Sequence, residues 1–191
     1  MGEESVGWVR QGVHSANGAD HGIKRRPLQC EHARCDDVLN VRLIAVGKVR
    51  ERYVADAVAD FRARLRPYHR LDEVEVRAAD GGDPARTMHA EGEAILKLLE
   101  PSDRVWLLDR RGELFDSEEL SRRIERLPHE GIARLTLVVA GTFGASEALL
   151  ARADLRWSLS PLTFLHEWAR ALVLEQLYRA AKIARDEPYH H

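Results

Sequence analysis

From residue 41 onward, apolar residues recur with two periods that alternate along the chain. "VRLIAV", Val41 to Val46, is a short apolar run closed by Gly47, as a buried strand would be. Val54, Ala57, Val58, Phe61 and Leu65 then fall at helical spacing, and Pro67 ends that helix. "EVEVRA" from Glu73 alternates its valines as a second strand, "GGDP" is its turn, and Met88, Gly92, Ile95 and Leu99 mark the next helix face. "VWLLD", Val105 to Asp109, predicts a third strand. Asp116 and Glu119 are spaced as a capping box before the stripe Leu120, Ile124 and Leu127. "LTLVVAG", Leu135 to Gly141, is apolar throughout, which requires burial on both faces of a sheet. A short helix follows "GTFGAS", then "LRWSL" as a fifth strand, a polar loop, and a long helix from about Glu167 to Ala184. Repeated strand–helix units predict an α/β fold with a mostly parallel sheet and helices on both faces. Ligands of such sheets sit at the carboxyl ends of the strands.

Residues 1–39 show neither period; rich in Gly, Ser, Asn, His and charge, they read as a disordered extension, or as the product of a start placed too early, with Val38 the alternative first residue. The folded domain is expected over 40–191. Cys30, His32 and Cys35 match no common zinc spacing, and no metal site is expected. No stretch reaches the length of a membrane span, so a soluble, cytoplasmic protein is expected, with neither membrane nor DNA as partner. Of 29 basic and 31 acidic residues, 5 and 6 precede residue 40, leaving 24 and 25 in the domain. That balance offers no global field for phosphates, so any RNA contact has to be local.

Three loops at strand carboxyl ends are candidates for chemistry: after Asp109, after Ala140 and after Ser158. None carries a dinucleotide or P-loop fingerprint. Gly141 to Gly144 is a G-x-x-G turn, which alone is equally a tight strand-to-helix connection. Ser158, Ser160 and Thr163 lie near His166, but no G-x-S-x-G elbow supports a hydrolase using Ser160 and His166. His166 is also placed to start the last helix, and His190 and His191 read equally as a solvated tail.

The segment "WSLSPLTFLHEWARALVLEQLYRAAKI" with the terminal "PYHH" resembles the C-terminal signature of the ribosomal RNA large subunit methyltransferase H family, in the SPOUT superfamily of knotted methyltransferases. Ser158, Leu159, Ser160, Leu162, Thr163, His166, Arg170, Glu175, Gln176, Tyr178, Arg179, Ala180, Tyr189 and His190 carry the match. "VRLIAVGKVR", "LLDRRGELFDSEEL" and "VVAGTFGAS" resemble the family's other motifs in order, so the resemblance spans residues 40–191. Two positions depart: Ala140 stands where the family has the first of two glycines, and Leu165 where it has a proline before the histidine.

The resemblance implies a C-terminal trefoil knot, a homodimer in which the last helix packs on the partner, and methyl transfer from S-adenosylmethionine to N3 of a pseudouridine in helix 69 of 23S ribosomal RNA. It implies that Leu108, Gly141, Ser160, Pro161, Leu162, Thr163, Phe164 and Leu165 surround the cofactor. His166, Arg170, Tyr189 and His190 are then the candidates for gripping the nucleotide and removing its N3 proton, with Arg170 favoured for charge stabilisation. A side chain added at Gly141 is expected to project into the adenosine site. With no free basic field, recognition of the assembled ribosome is expected. The alternative is a non-catalytic ribosome-binding or assembly factor of the same fold, which would not need an intact cofactor loop.

Overall fold

The computed structural model describes residues 39–79 and 82–189. Expectations for Cys30, His32, Cys35, His190, His191 and the segment before Leu39 lie outside those residues. Leu39, one residue ahead of the expected start, is already buried in the core.

Five strands, β1 (Asn40–Val46), β2 (Arg70–Val76), β3 (Arg104–Glu113), β4 (Arg134–Val139) and β5 (Leu155–Trp157), alternate with five helices. The helices are α1 (Arg52–Leu65), α2 (Pro84–Leu96), α3 (Ser117–His129), α4 (Glu147–Arg152) and α5 (His166–Ala184). The strands form one sheet in the order β2-β1-β4-β3-β5, and every pairing is parallel. Period-2 alternation divides the strand residues between two cores. Val41, Leu43 and Ala45 of β1 and Leu135, Leu137 and Val139 of β4 pack with α1, α3 and α5. Ile44, Val46 and Val138 point the other way, towards Ile95 of α2 and Leu149 of α4. Both faces are thus covered, as the uninterrupted apolar runs require.

Local chemistry sets the boundaries. Asp83 Oδ1 accepts the Ala85 N–H at 3.2 Å, with Pro84 as the first helical residue of α2. Asp116 Oδ1 accepts the Glu119 N–H at 2.7 Å, but the reciprocal half of the expected capping box is missing. Glu119 instead binds Arg122 and Arg123 at 2.9 and 2.8 Å, because two guanidiniums one turn ahead compete for its carboxylate. Strand β2 starts three residues earlier than its valine alternation indicates. Strand β3 runs past Asp109 to Glu113, where an irregular register returns it to Trp157; this exposed extension carries no apolar alternation that could announce it.

The apolar character of α5 is explained within the chain. Ala169, Val173, Leu174, Leu177 and Ala180 are buried in the core shared with α1 and α3, so one face of this helix is covered by its own chain. The chain leaves the edge strand β5 and returns to the centre of the sheet to place α5 there. The strand order and this return are compatible with the knot that the family resemblance implies.

Candidate functional site

The carboxyl ends of β4, β3 and β5 open onto one cavity of about 650 Å³, within the range of small-molecule sites. Two loops supply much of its lining, with Met88, Leu108, Val139 and Leu150 among the apolar residues beside them. The connection after β4 contributes Ala140 to Ala145, folded on itself by the Gly144 N–H to Gly141 carbonyl bond at 3.0 Å. The loop after β5 contributes Leu159, Ser160 and Leu162 to His166. That loop is pinned at its root. The buried Ser158 hydroxyl lies 3.0 Å from the Ser160 carbonyl and 3.2 Å from the Arg110 carbonyl, and can donate to only one at a time. Ser160 Oγ accepts the Leu162 N–H at 3.1 Å, a turn-forming role.

Of the eight positions expected around the cofactor, all but Pro161 line this cavity. Leu165 adopts φ of −59°, the torsion a proline would impose, so its replacement of proline removes stiffness without changing the path. Ala140 has no positive φ, so the strand ends there without a glycine.

One expectation about this wall is corrected. A β-carbon on Gly141 would not enter the cavity but would overlap the carboxylate of Glu91, with Cδ at 3.0 Å and Oε1 at 3.1 Å. A side chain here would force the Glu91 carboxylate to move.

The floor of the site is a second cluster, where α5 begins against the loop after β1. His166 lines the cavity, and its Nε2 would lie 3.2 Å from a β-carbon on Gly47, which adopts φ of +78°. Glu167 Oε2 accepts the N–H groups of Arg50 at 2.8 Å and Glu51 at 3.2 Å. It thereby caps α1, whose own N-cap side chain makes no such bond, and the Arg50 N–H chiefly holds its carboxyl below the usual range. Arg170 is buried beneath them. Its Nη2 donates to the Val46 carbonyl at 2.9 Å and to that of Gly47, and Nη1 lies 3.8 Å from Glu75 Oε2. Burial pulls its pKa below the ordinary value, against the pull of Glu75 and Glu73. Arg170 does not line the cavity.

Tyr189 does not reach the cavity of its own chain either. Its hydroxyl donates to Glu175 Oε1 at 2.5 Å, and the Arg179 guanidinium sits 3.7 Å from its ring centroid. Burial first, and the bond to Glu175 second, push its pKa up to about 12, so the phenol is a donor rather than a base near neutrality. Tyr68 and Lys182 hold Glu187 at 2.6 and 2.8 Å, which fixes the start of the tail on α5.

Two features at the cavity were not among the expected site residues, although Asp109, Arg110 and Arg111 lie within the "LLDRRGELFDSEEL" stretch. Arg110 and Arg111 are exposed on its rim, at the carboxyl end of the β3 pairing with β4. Beside them Arg156 clamps Asp109 at 2.6 and 3.0 Å. Burial alone would raise the Asp109 carboxyl, but the Arg111 N–H and Arg156 hold it below its usual value. A smaller depression of about 480 Å³ lies at the amino ends of the strands, around Arg42, Arg70 and Arg134, away from these loops. Among the described residues no cluster of His, Cys, Asp and Glu is suited to a metal, and no helix is long and apolar enough to cross a membrane.

The family model and the sequence relatives point to one group. A family model described as a predicted SPOUT methyltransferase matches residues 39–190. Proteins named ribosomal RNA large subunit methyltransferase H are similar to the chain over 80% of its length. That of Symbiobacterium thermophilum is 42% identical with 99% of its own length covered, that of Pelobacter propionicus 42% with 100%, and that of Desulfitobacterium hafniense 37% with 99%. A solved structure of a probable methyltransferase from Bordetella pertussis aligns with a TM-score of 0.49 at 16% identity, over 76% of this chain and 98% of that one.

Proposed function

The chain belongs to the SPOUT methyltransferases and, within them, to the ribosomal RNA large subunit methyltransferase H family, and from that premise we propose that it transfers a methyl group from S-adenosylmethionine to N3 of a pseudouridine in helix 69 of 23S ribosomal RNA, on the assembled ribosome. The coarser activity, methylation of ribosomal RNA, is that of the relatives it matches along nearly their whole length. The observation that carries the site is the cavity at the strand carboxyl ends, which two loops line beside Leu108, Val139 and Leu159. Such a wall suits adenine, which offers a flat apolar face and a polar edge.

Gly141 and the Ser160–Leu165 segment would hold the cofactor, Leu108 giving the ring a face. The sulfonium charge of S-adenosylmethionine already activates its methyl group. The protein therefore has to orient two reactants and assist loss of the N3 proton. His166, inside the cavity, is the base candidate best placed by this geometry. Arg170 acts through the Val46–Gly47 backbone that bears on His166. Tyr189, whose O–H is engaged by Glu175 within its own chain, and His190 are the residues assigned to gripping the nucleotide, at the cavity of a second subunit. A homodimer would also cover Leu162, Leu165 and Trp168, apolar side chains left 70%, 70% and 39% exposed around the loop. Ribosomal RNA as substrate places the protein in the cytoplasm.

Calorimetric titration with S-adenosylmethionine tests the reading: stoichiometric, saturable binding is expected. Its absence would favour the ribosome-binding factor.

A further inference from the structure

Glu91 is a buried acidic side chain to which the mechanism above gives no role. It sits on the sheet-facing side of α2 and is 5% exposed. Oε1 accepts the Ala79 N–H at 3.1 Å, from the connection that follows β2, while Oε2 is shut away from solvent with no hydrogen-bond partner. A buried carboxylate oxygen without a donor is destabilising unless something supplies one. The same carboxylate lies against Gly141, in the space where any other residue would carry its β-carbon.

The next residue makes a matching approach. A β-carbon on Gly92 would overlap the Ser146 hydroxyl and lie 2.9 Å from Ser146 Cβ, and Ser146 caps α4 through the Leu149 N–H. Gly141 and Ser146 bound the connection from β4 to α4 that forms one wall of the cavity. Met88, one turn earlier on α2, lines the cavity itself. Two consecutive residues of α2 therefore press on both ends of the wall loop, and one of them presents an acceptor with nothing to accept.

We propose that Glu91 is a positioning residue for the cofactor loop: it clamps the Gly141 end of that loop to the backbone after β2, and its Oε2 takes up a backbone N–H of the Ala140–Thr142 segment when S-adenosylmethionine seats. The inference rests on the proposed identity of the cavity's ligand. It makes the segment around Ala79, which is not part of the cavity wall, respond to occupancy through the two oxygens of one carboxylate.

The test compares the full chain with Glu91→Gln by calorimetric titration with S-adenosylmethionine. Glutamine preserves the size, but whichever way its amide is turned, one of the two acceptors becomes a donor. The variant is expected to bind about tenfold more weakly, or about 1.4 kcal/mol, with an unfolding temperature within a few degrees of the parent. A second measurement needs no variant and decides the matter if Glu91→Gln does not fold. Hydrogen exchange at the Ala79 amide of the parent should slow at saturating S-adenosylmethionine, because its acceptor becomes held from both sides. Equal affinity of variant and parent overturns the proposal, as does exchange at Ala79 that is indifferent to the cofactor. Failure of the parent itself to bind is a distinct result that overturns the cavity's assignment and this inference with it.

Discussion

Replacing Arg170 with methionine separates what the guanidinium does for the fold from what it would do for the substrate. Methionine keeps an unbranched apolar stem in the same space and deletes the donors. The change removes the bonds from Nη2 to the Val46 and Gly47 carbonyls and leaves those acceptors inside the protein. Hydrogen bonds to a charged group contribute about 1.5–3 kcal/mol each. Two effects offset that loss: the buried Nε, which has no partner, disappears, and Glu75, with its side chain 40% exposed, regains water. A net destabilisation of about 2 kcal/mol is expected. For a domain of this size each kcal/mol lowers the unfolding temperature by about 2–4 °C, so calorimetry should show a fall of about 4–8 °C. Methyl transfer should weaken too, since the Gly47 backbone that Arg170 holds bears on His166. An unchanged unfolding temperature together with collapsed methyl transfer would refute this reasoning. It would mean that the guanidinium is free to leave Val46 and Gly47 and is used on the nucleotide.

The remaining expectations concern other parts of the chain. His69 has both ring nitrogens buried without partners, and burial, helped by Arg185, lowers its pKa to about 4; the unfolded state therefore binds more protons between about pH 6.5 and 4, and stability falls as pH drops through that window. The loss at pH 5 relative to pH 7 should be about 2 kcal/mol, measured by urea unfolding, and His69→Phe should flatten it; an equal pH dependence in that variant would contradict the assignment. The double variant Arg110→Ser, Arg111→Ser should raise the KM for ribosomes several-fold while leaving S-adenosylmethionine affinity unchanged, because exposed rim guanidiniums meet phosphates and not the cofactor; a loss of cofactor affinity instead would place them inside the site. Deleting Tyr189 to His191 should leave folding intact and slow single-turnover transfer steeply at saturating S-adenosylmethionine, whereas a rate within a few-fold of the parent would show that the tail serves only to dock on Glu175 and Arg179.

The elements were legible in the sequence wherever burial is two-sided or strictly one-faced. Val41 to Val46 and Leu135 to Val139 had to be central strands because their apolar residues divide between cores on both faces. Leu120, Ile124 and Leu127 had to be a helix stripe. The extension of β3 through Arg110 to Glu113 was not legible, since an exposed strand edge held by Trp157 carries no hydrophobic period. The cavity-lining loops were legible as strand carboxyl ends, but what they hold came from family resemblance, because they carry no nucleotide-binding fingerprint. Gly141 illustrates the limit: the sequence indicates that a glycine matters there, but only the fold reveals that Glu91 is the reason. A signal for Glu91 did exist, as a carboxylate on the same helical face as Met88, Gly92 and Ile95. An acidic residue on a buried face calls for a partner, and the donor it has, the Ala79 N–H, comes from the connection after β2, outside the helix that carries the pattern. Arg170 stands in the family motif, and the fold places its guanidinium on the carbonyls at the end of β1.

The central claim is that this cavity methylates one pseudouridine of ribosomal RNA, and it is tested most directly by incubating the purified protein and S-adenosylmethionine with ribosomes from a strain that lacks the gene, then mapping 23S ribosomal RNA fragments by mass spectrometry. A single methyl group appearing on a pseudouridine of helix 69, dependent on both protein and cofactor, is the predicted result. No added methyl group, or one placed on a different nucleotide, would contradict it.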